Sequence, residues 1–191
     1  MRLTLEARLG TARIPLQVDV GFGDAMAVPA SPVELPSLLP EQPRAAIRAY
    51  SREVVVAEKL HAIVQRGLAN TRMKDYFDLV VLAERFDFDG ALLADAIAAT
   101  FARRRTPLLA RCPEGLADAF AVDATKLKQW AAFLRRSGLE PRELQAVVRA
   151  VRAFVLPVSG QVEGERSYGV WLAGGRWQAE SETLDDDEEG A

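Results

Sequence analysis

The sequence predicts an α+β fold in which one β-hairpin is followed by a bundle of about five helices. Two patterns predict it: apolar and polar residues alternate strictly at the start of the chain, and apolar residues take helical spacing from Ser51 onward. The 191 residues, 49% hydrophobic and 27% charged, suffice for one ordinary domain or a domain with a small appendage. This composition excludes disordered, collagen-like and wholly coiled-coil proteins.

The first twenty residues are predicted to form two antiparallel strands. Every second residue over 3–9 is apolar, which is typical of a half-buried strand. A turn at 10–13 and a second strand over 14–20 complete a hairpin, and the glycines of 21–24 end it. Two strands alone make no stable sheet, so either the helices cover this hairpin or it belongs to a larger sheet.

Residues 25–50 contain five prolines, which exclude a long helix or a central strand and predict an extended connector. The predicted organisation has five parts, which are strands at 1–24, the connector at 25–50, a helical lobe at 51–158, an aromatic and glycine-containing segment at 159–179, and an acidic tail at 180–191. We expect that tail to be a solvated, disordered end.

Five helices are predicted in the lobe. They lie at about 52–66, ended by Gly67; 72–86; 90–105, with Asp89 as N-cap; 123–137, ended by Gly138; and 141–155, opened by Pro141 and stopped by Pro157. No apolar run is long enough to cross a bilayer, the alternating residues after Met1 lead us to expect no signal peptide, and the single Cys112 offers no metal cluster. These features predict a cytoplasmic protein without a membrane partner.

Charge is distributed unevenly along the chain. The net charge is −3, and the seven acidic residues of 180–191 leave +4 for residues 1–179. The arginines of 103–105, with Arg111, Arg135 and Arg136, either contact nucleic-acid phosphates or are ordinary charges at helix C-termini. The acidic tail either is merely solvated or competes with nucleic acid for the basic body.

The helix at 52–66 carries one candidate binding residue. Lys59 falls on the margin between the core-facing arc and a smaller apolar strip. It either extends past apolar neighbours to reach water or forms a cation at the edge of a cleft, where it meets phosphate. His61, the only histidine, falls on the polar face and is predicted to be a solvated side chain.

Three aspartates are candidates of different kinds. Asp75 lies at the edge of the apolar arc of the helix at 72–86, so it must find a cation or hydrogen-bond donors, as either a structural charge or a site residue. Asp78 points to the polar side with Lys74 and Arg85 and is predicted to form a surface ion pair. Asp19, at the end of the second strand, is in a common place for a metal ligand, although one acid is a weak signal.

Four stretches together resemble the AbiEii/AbiGii toxin family, the nucleotidyltransferase-like proteins of bacterial abortive-infection and toxin–antitoxin systems. They are Leu16–Asp24, Tyr50–Ala62, Arg72–Leu79 and the closing Trp171–Trp177. The most specific signal is Glu58-Lys59-Leu60 followed by Arg72-x-Lys74-Asp75-x-x-Asp78-Leu79 in this order and spacing.

The resemblance implies a fold similar to that of DNA polymerase beta-type nucleotidyltransferases, with the hairpin as a remnant of their mixed sheet. It implies that Asp19 is the third metal-binding carboxylate, that Lys59 and Arg72 bind the nucleotide, and that Lys59 and Asp75 are catalytic. The implied reaction transfers a nucleotide from an NTP to an RNA acceptor such as tRNA, with Mg²⁺. A cognate antitoxin is the implied partner, and phage defence the implied setting.

The chain departs from the family pattern before Asp19. The family's first motif, Gly-Ser followed by Asp-x-Asp, has no counterpart in residues 1–18, which contain no aspartate and only Glu6. Two of three metal carboxylates are therefore expected to be missing, as in an N-terminally truncated member that is inactive as written. The alternative is a non-catalytic helical remnant that binds a protein or RNA partner.

Overall fold

The computed structural model describes residues 1–21, 29–37, 39–160 and 169–179. The described part is a mixed α+β structure with six α-helices and three small antiparallel sheets, which confirms the predicted fold class. The helices are α1 (Arg52–Arg66), α2 (Met73–Arg85), α3 (Gly90–Arg103), α4 (Asp118–Val122), α5 (Ala124–Arg136) and α6 (Leu144–Ser159). The strands are β1 (Arg2–Leu9), β2 (Ala12–Asp19), β3 (Ser31–Leu35), β4 (Ala45–Ala49), β5 (Phe88–Asp89), β6 (Val170–Leu172) and β7 (Arg176–Gln178).

Strands β1 and β2 form the predicted hairpin. Leu5 lies opposite Leu16 and Leu3 opposite Val18, so alternation places one apolar face along the whole hairpin. The prediction of half-burial is wrong, because this face is exposed: Leu5 is 55% exposed and Leu16 45%. Alternation shows that a strand has an apolar face but not whether another element covers it.

The proline-containing connector includes a second hairpin, which the sequence did not predict. Strands β3 and β4 pair with Val33 opposite Ile47. Pro32 is tolerated within β3 because each strand of a two-stranded sheet is an edge strand, where a missing N–H group need not break a ladder.

The hydrophobic core lies within the helical lobe. Helix α1 packs against α3, and α2 packs against α6. The largest fully buried side chains include Leu60, Tyr76, Leu79, Phe101 and Phe154. Burying large apolar side chains is the main favourable contribution to folding, so this lobe is the stable part of the described chain.

Five of the six helices match predicted helices to within a few residues, whereas α4 was not predicted. The prediction that Pro141 opens the last helix is wrong, because α6 begins at Leu144 with Glu143 as its N-cap. Ser51 caps α1, and its side chain accepts a hydrogen bond from the Val54 N–H; Asp89 caps α3 in the same way. The prediction that Pro157 ends the last helix is wrong, because α6 continues to Ser159. Pro157 lies in the last turn, where a missing N–H removes only one hydrogen bond near the helix end.

The aromatic segment near the C-terminus forms a small sheet with β5. Strand β6 pairs with both β5 and β7. The Trp171 indole N–H donates to the Ala83 carbonyl at 2.8 Å, and the Trp177 N–H donates to the Phe154 carbonyl at 3.1 Å. These contacts fix the sheet on α2 and α6. The acidic residues from 180 onward, and Phe22–Asp24, lie outside the described residues.

Candidate functional site

Helices α1 and α2 bring together three residues that lie far apart in the sequence. Lys59 is on the margin of the face of α1 that buries Val56, Leu60 and Ile63 in the core. Asp75 lies in the first turn of α2, and Arg72 immediately precedes that helix. Because α1 and α2 pack side by side, the ends of these side chains meet.

Asp75 is the centre of this cluster. Its side chain is only 2% exposed. The Lys59 Nζ lies 3.3 Å from Asp75 Oδ1, and the Arg72 Nε lies 2.7 Å from Asp75 Oδ2. A buried carboxylate must be paired with cations, and these two residues provide them. Of the two kinds of partner that the sequence left open for Asp75, a cation or hydrogen-bond donors, the structure shows cations.

Asp78 extends the cluster. Its Oδ2 lies 2.5 Å from the Nζ atoms of both Lys59 and Lys74. Asp78 therefore forms the predicted ion pair with Lys74 on its own helix. It also pairs with the half-buried Lys59 of α1, which the sequence did not predict. Burial raises the pKa of Asp78, and the hydrogen bonds from Lys59 and Lys74 outweigh burial, so the pKa lies below its usual 3.8.

A cleft of about 400 Å³ lies over α1 and the start of α2, and we call it the α1–α2 cleft. Its polar and charged lining residues are Tyr50, Glu58, Lys59, His61, Gln65, Arg66, Arg72, Asp75 and Arg104. Four are cationic at neutral pH and two are acidic, and both acids are paired, Asp75 with Lys59 and Arg72 and Glu58 with Arg104. Such a lining favours an anionic ligand that offers several oxygen acceptors, such as a phosphate group.

The position of Lys59 has features of both alternatives that the sequence left open, a lysine that extends past apolar neighbours and a cation at the edge of a cleft. Its side chain is 19% exposed, because its stem passes the core, and its ammonium group lines the cleft. An ammonium group has three N–H donors, and Asp75 and Asp78 accept two of them. The third donor is available to a ligand in the cleft.

His61 is not the solvated side chain that the sequence predicts. It is 3% exposed, its Nε2 lies 2.9 Å from Thr106 Oγ1, and its ring meets Phe101 edge-on at 5.3 Å. Helix α1 packs against both α2 and α3, so it has two buried sides, whereas the helical wheel assumed one. Burial lowers the pKa of His61, and the nearby Arg104 lowers it further, while Glu58 raises it.

Asp19 lies away from this cluster, on the exposed β1–β2 hairpin. Arg2 donates to its carboxylate at 2.7 Å and Gln17 at 3.0 Å. The hydrogen bond from Arg2, with a lesser contribution from Gln17, lowers the pKa of Asp19 and outweighs the effect of burial, which raises it. Among residues 1–21, 29–37, 39–160 and 169–179, no three His, Cys, Asp or Glu side chains form a group that could hold a metal ion. These residues therefore do not fit a complete metal centre.

Of the arginines predicted to contact phosphate, one lines the α1–α2 cleft. Arg104 lies there and donates to Glu58 at 3.0 Å. Arg136 lines a neighbouring depression between α2 and α5, and Arg135 faces a separate apolar groove. The sequence did not indicate Glu58 as a cleft residue or its pairing with Arg104, because the two residues are 46 positions apart and meet only when α1 packs on α3.

Comparison with known proteins gives one match. The model of a family described as "Nucleotidyl transferase AbiEii toxin, Type IV TA system" matches residues 1–154. No curated protein and no solved structure matches the chain. Within the described residues, no helix has the length and apolar character needed to cross a membrane.

Proposed function

The chain belongs to the AbiEii nucleotidyl transferase toxin family of Type IV toxin–antitoxin systems, and we propose that its α1–α2 cleft binds the triphosphate of an NTP. The observation that carries this proposal is the convergence of Lys59, Arg72 and Asp75 on one cleft. In the reaction proposed for the family site, an RNA hydroxyl, as in a tRNA, bonds to the α-phosphorus. The bond to the β-phosphate breaks, pyrophosphate leaves, and the hydroxyl proton passes to solvent.

In this proposal each residue has a separate role. Lys59 and Arg72 donate hydrogen bonds to phosphate oxygens and offset charge that develops on the departing pyrophosphate. Arg72 suits this role because its side chain is 54% exposed and the guanidinium carries five N–H donors. Asp75 holds both cations in place, with Asp78 as the second anchor of Lys59. Positioning of this kind is most of what a phosphoryl-transfer site requires from its protein.

Because nucleotidyl transferases of this family are expected to use a divalent metal ion with an NTP, we expect Mg²⁺ to be the metal here. Asp19 as a metal ligand stays a prediction, since the described residues contain no group of three His, Cys, Asp or Glu side chains that could hold a metal ion. We therefore derive no step through a metal and propose that this polypeptide alone binds nucleotide but transfers it poorly. An antitoxin is the functional partner that the family description implies; a cytoplasmic location and a role in phage defence stay predictions.

Binding of a fluorescent ATP analogue to the full chain tests the proposal. We expect Lys59→Ala to weaken binding by about tenfold or more, because a charge-assisted contact contributes roughly 1.5–3 kcal/mol. Lys128→Ala, which removes an exposed lysine on α5 outside this cleft, is the matched control and should leave the affinity unchanged. Lys59→Arg, which keeps the charge, should retain part of the affinity. Equal affinity in Lys59→Ala, Lys128→Ala and wild type would contradict the proposal.

A non-catalytic binding module is the second candidate, favoured by the absence of a three-residue metal group among the described residues. Such a module would hold an antitoxin-like protein or RNA without Mg²⁺ or nucleotide. Measuring partner binding in the presence of a chelator, with and without NTP, separates the two functions. If the chain is such a module, Lys59→Ala should leave partner binding intact.

A further inference from the structure

A second cleft lies on the other side of the first turn of α2. It has a volume of about 440 Å³, within the usual range of about 300–1,000 Å³ for ligand sites, and we call it the α2–α5 cleft. Its lining residues are Thr71, Arg72, Met73, Lys74, Asp75, Gln129, Ala132, Phe133 and Arg136. Arg72 and Asp75 line both clefts, so this ion pair is the boundary between them.

The charges of the α2–α5 cleft favour a polyanion. Arg72, Lys74 and Arg136 line it, and its one acidic residue, Asp75, is buried and neutralised by Arg72 and Lys59. Lys74 also contacts Asp78, which leaves the ammonium group exposed over most of its surface, since the Lys74 side chain is 71% exposed. The lining therefore presents positive charge to solvent.

The cleft also has features that suit a nucleic-acid base. Phe133 is half-buried in it and is held by Phe77 and Trp130, with ring centroids 5.9 and 5.6 Å away. The Gln129 Oε1 atom is buried and has no hydrogen-bond partner among the described residues. Basic residues that flank an aromatic ring are the recurring arrangement for binding single strands, since every base has a face that can stack. A buried acceptor without a partner would gain a hydrogen bond from an exocyclic amino group.

We infer that the α2–α5 cleft binds a segment of single-stranded RNA. Lys74 and Arg136 contact its phosphates, Phe133 contacts a base, and Gln129 accepts a hydrogen bond from that base. The identification of this RNA as the acceptor of the transferred nucleotide rests on the proposed function. The strand would reach the nucleotide at the Arg72–Asp75 pair, which lines both clefts. The binding site itself is independent of that function.

Fluorescence anisotropy with a labelled single-stranded oligoribonucleotide tests the inference on the full chain. Arg136→Gln should weaken binding by about five- to tenfold and reduce the salt dependence by about one counterion, as loss of one phosphate contact does. Arg135→Gln is a matched control, because this neighbouring exposed arginine faces a different groove. It should leave both quantities unchanged. Phe133→Leu should weaken RNA binding with unchanged salt dependence, and circular dichroism checks that it folds.

Two results would overturn the inference. Equal losses of RNA affinity in Arg135→Gln and Arg136→Gln would show that binding is general charge attraction. A polyglutamate peptide that binds as tightly as RNA, and whose binding is weakened equally by Arg136→Gln, would indicate an acidic protein partner. The ATP analogue separates this inference from the proposed function. Arg136→Gln should retain nucleotide binding and Lys59→Ala should retain RNA binding. If Lys59→Ala keeps nucleotide affinity while Arg136→Gln loses RNA, only the proposed function fails.

Discussion

At the scale of single residues, Asp75 shows what one side chain's chemistry allows to be predicted. A carboxylate at the edge of an apolar arc cannot stay buried without a cation or hydrogen-bond donors, so the need for a partner follows from the sequence. The identity of the partner does not follow. Lys59 is 16 positions away, and its contact with Asp75 depends on how α1 packs against α2. Local chemistry therefore predicted that Asp75 has a partner, and tertiary packing determined that Lys59 is one of them.

His61 shows the opposite case. The helical wheel placed it on the polar face and predicted a solvated side chain, but α1 has two buried sides and His61 lies on the second one. Its burial leads to a pH-dependent stability. The pKa of His61 is lowered from 6.5 in the folded protein, so below about pH 6.5 the unfolded chain binds a proton that the folded chain does not. The free energy of unfolding should therefore decrease as the pH falls from 7 towards 5.

Urea denaturation of wild type and His61→Gln at several pH values measures this effect. Since the chain has one histidine, removing it should flatten the decrease that begins near pH 6.5. The variant should be less stable than wild type at pH 7, because the hydrogen bond to Thr106 and the contact with Phe101 are altered. That difference should narrow on acidification. An identical slope in the two proteins would show that His61 is protonated equally in both states.

At the scale of secondary-structure elements, most of the helical lobe could be predicted from the sequence. Ser51, Gly67 and Asp89 are local signals that stop or start a helix whatever lies around them, and all three act as caps. The β3–β4 hairpin and the sheet formed by β5, β6 and β7 could not be predicted. Their strands are only two to five residues long, too short for a periodic pattern to identify.

Gly115 is the point where several elements meet. It lies in the short 3₁₀ turn Glu114–Leu116, where its carbonyl accepts a hydrogen bond from the Tyr76 hydroxyl at 2.9 Å. A methyl group at this position would lie 2.8 Å from Ile63 Cγ2 and 3.0 Å from the Ile63 carbonyl oxygen. We expect Gly115→Ala to lower the free energy of unfolding by about 1–3 kcal/mol, as overpacking of a close-packed core does.

Thermal and urea denaturation check this prediction against a second glycine. In Gly160→Ala the new methyl group would lie 3.5 Å from the Leu109 carbonyl oxygen, which is an ordinary contact. That variant should be as stable as wild type or slightly more so, since alanine has less freedom in the unfolded chain. Equal free energies of unfolding for Gly115→Ala and Gly160→Ala would mean that the 3₁₀ turn at 114–116 accommodates the methyl group without loss of stability.

At the scale of the whole molecule, burial is concentrated in one part of the described chain. Every buried hydrophobic residue lies between Val54 and Trp171, whereas the apolar faces of both N-terminal hairpins are exposed. The sequence could not indicate this division, because alternation within β1 and β2 is the same whether or not another element covers them. The cooperative unfolding of the protein should therefore report on the helical lobe.

A pair of identical substitutions tests this division. Leu79 is 0% exposed on α2, and Leu5 is 55% exposed on β1. Leu79→Ala should lower the free energy of unfolding by about 2–5 kcal/mol, because it removes buried apolar surface and leaves a cavity in a packed core. Leu5→Ala should change it by less than about 0.5 kcal/mol, as surface substitutions do. Urea denaturation followed by helical circular dichroism measures both, and a loss of similar size for Leu5→Ala would show that the hairpin's apolar face is buried in solution.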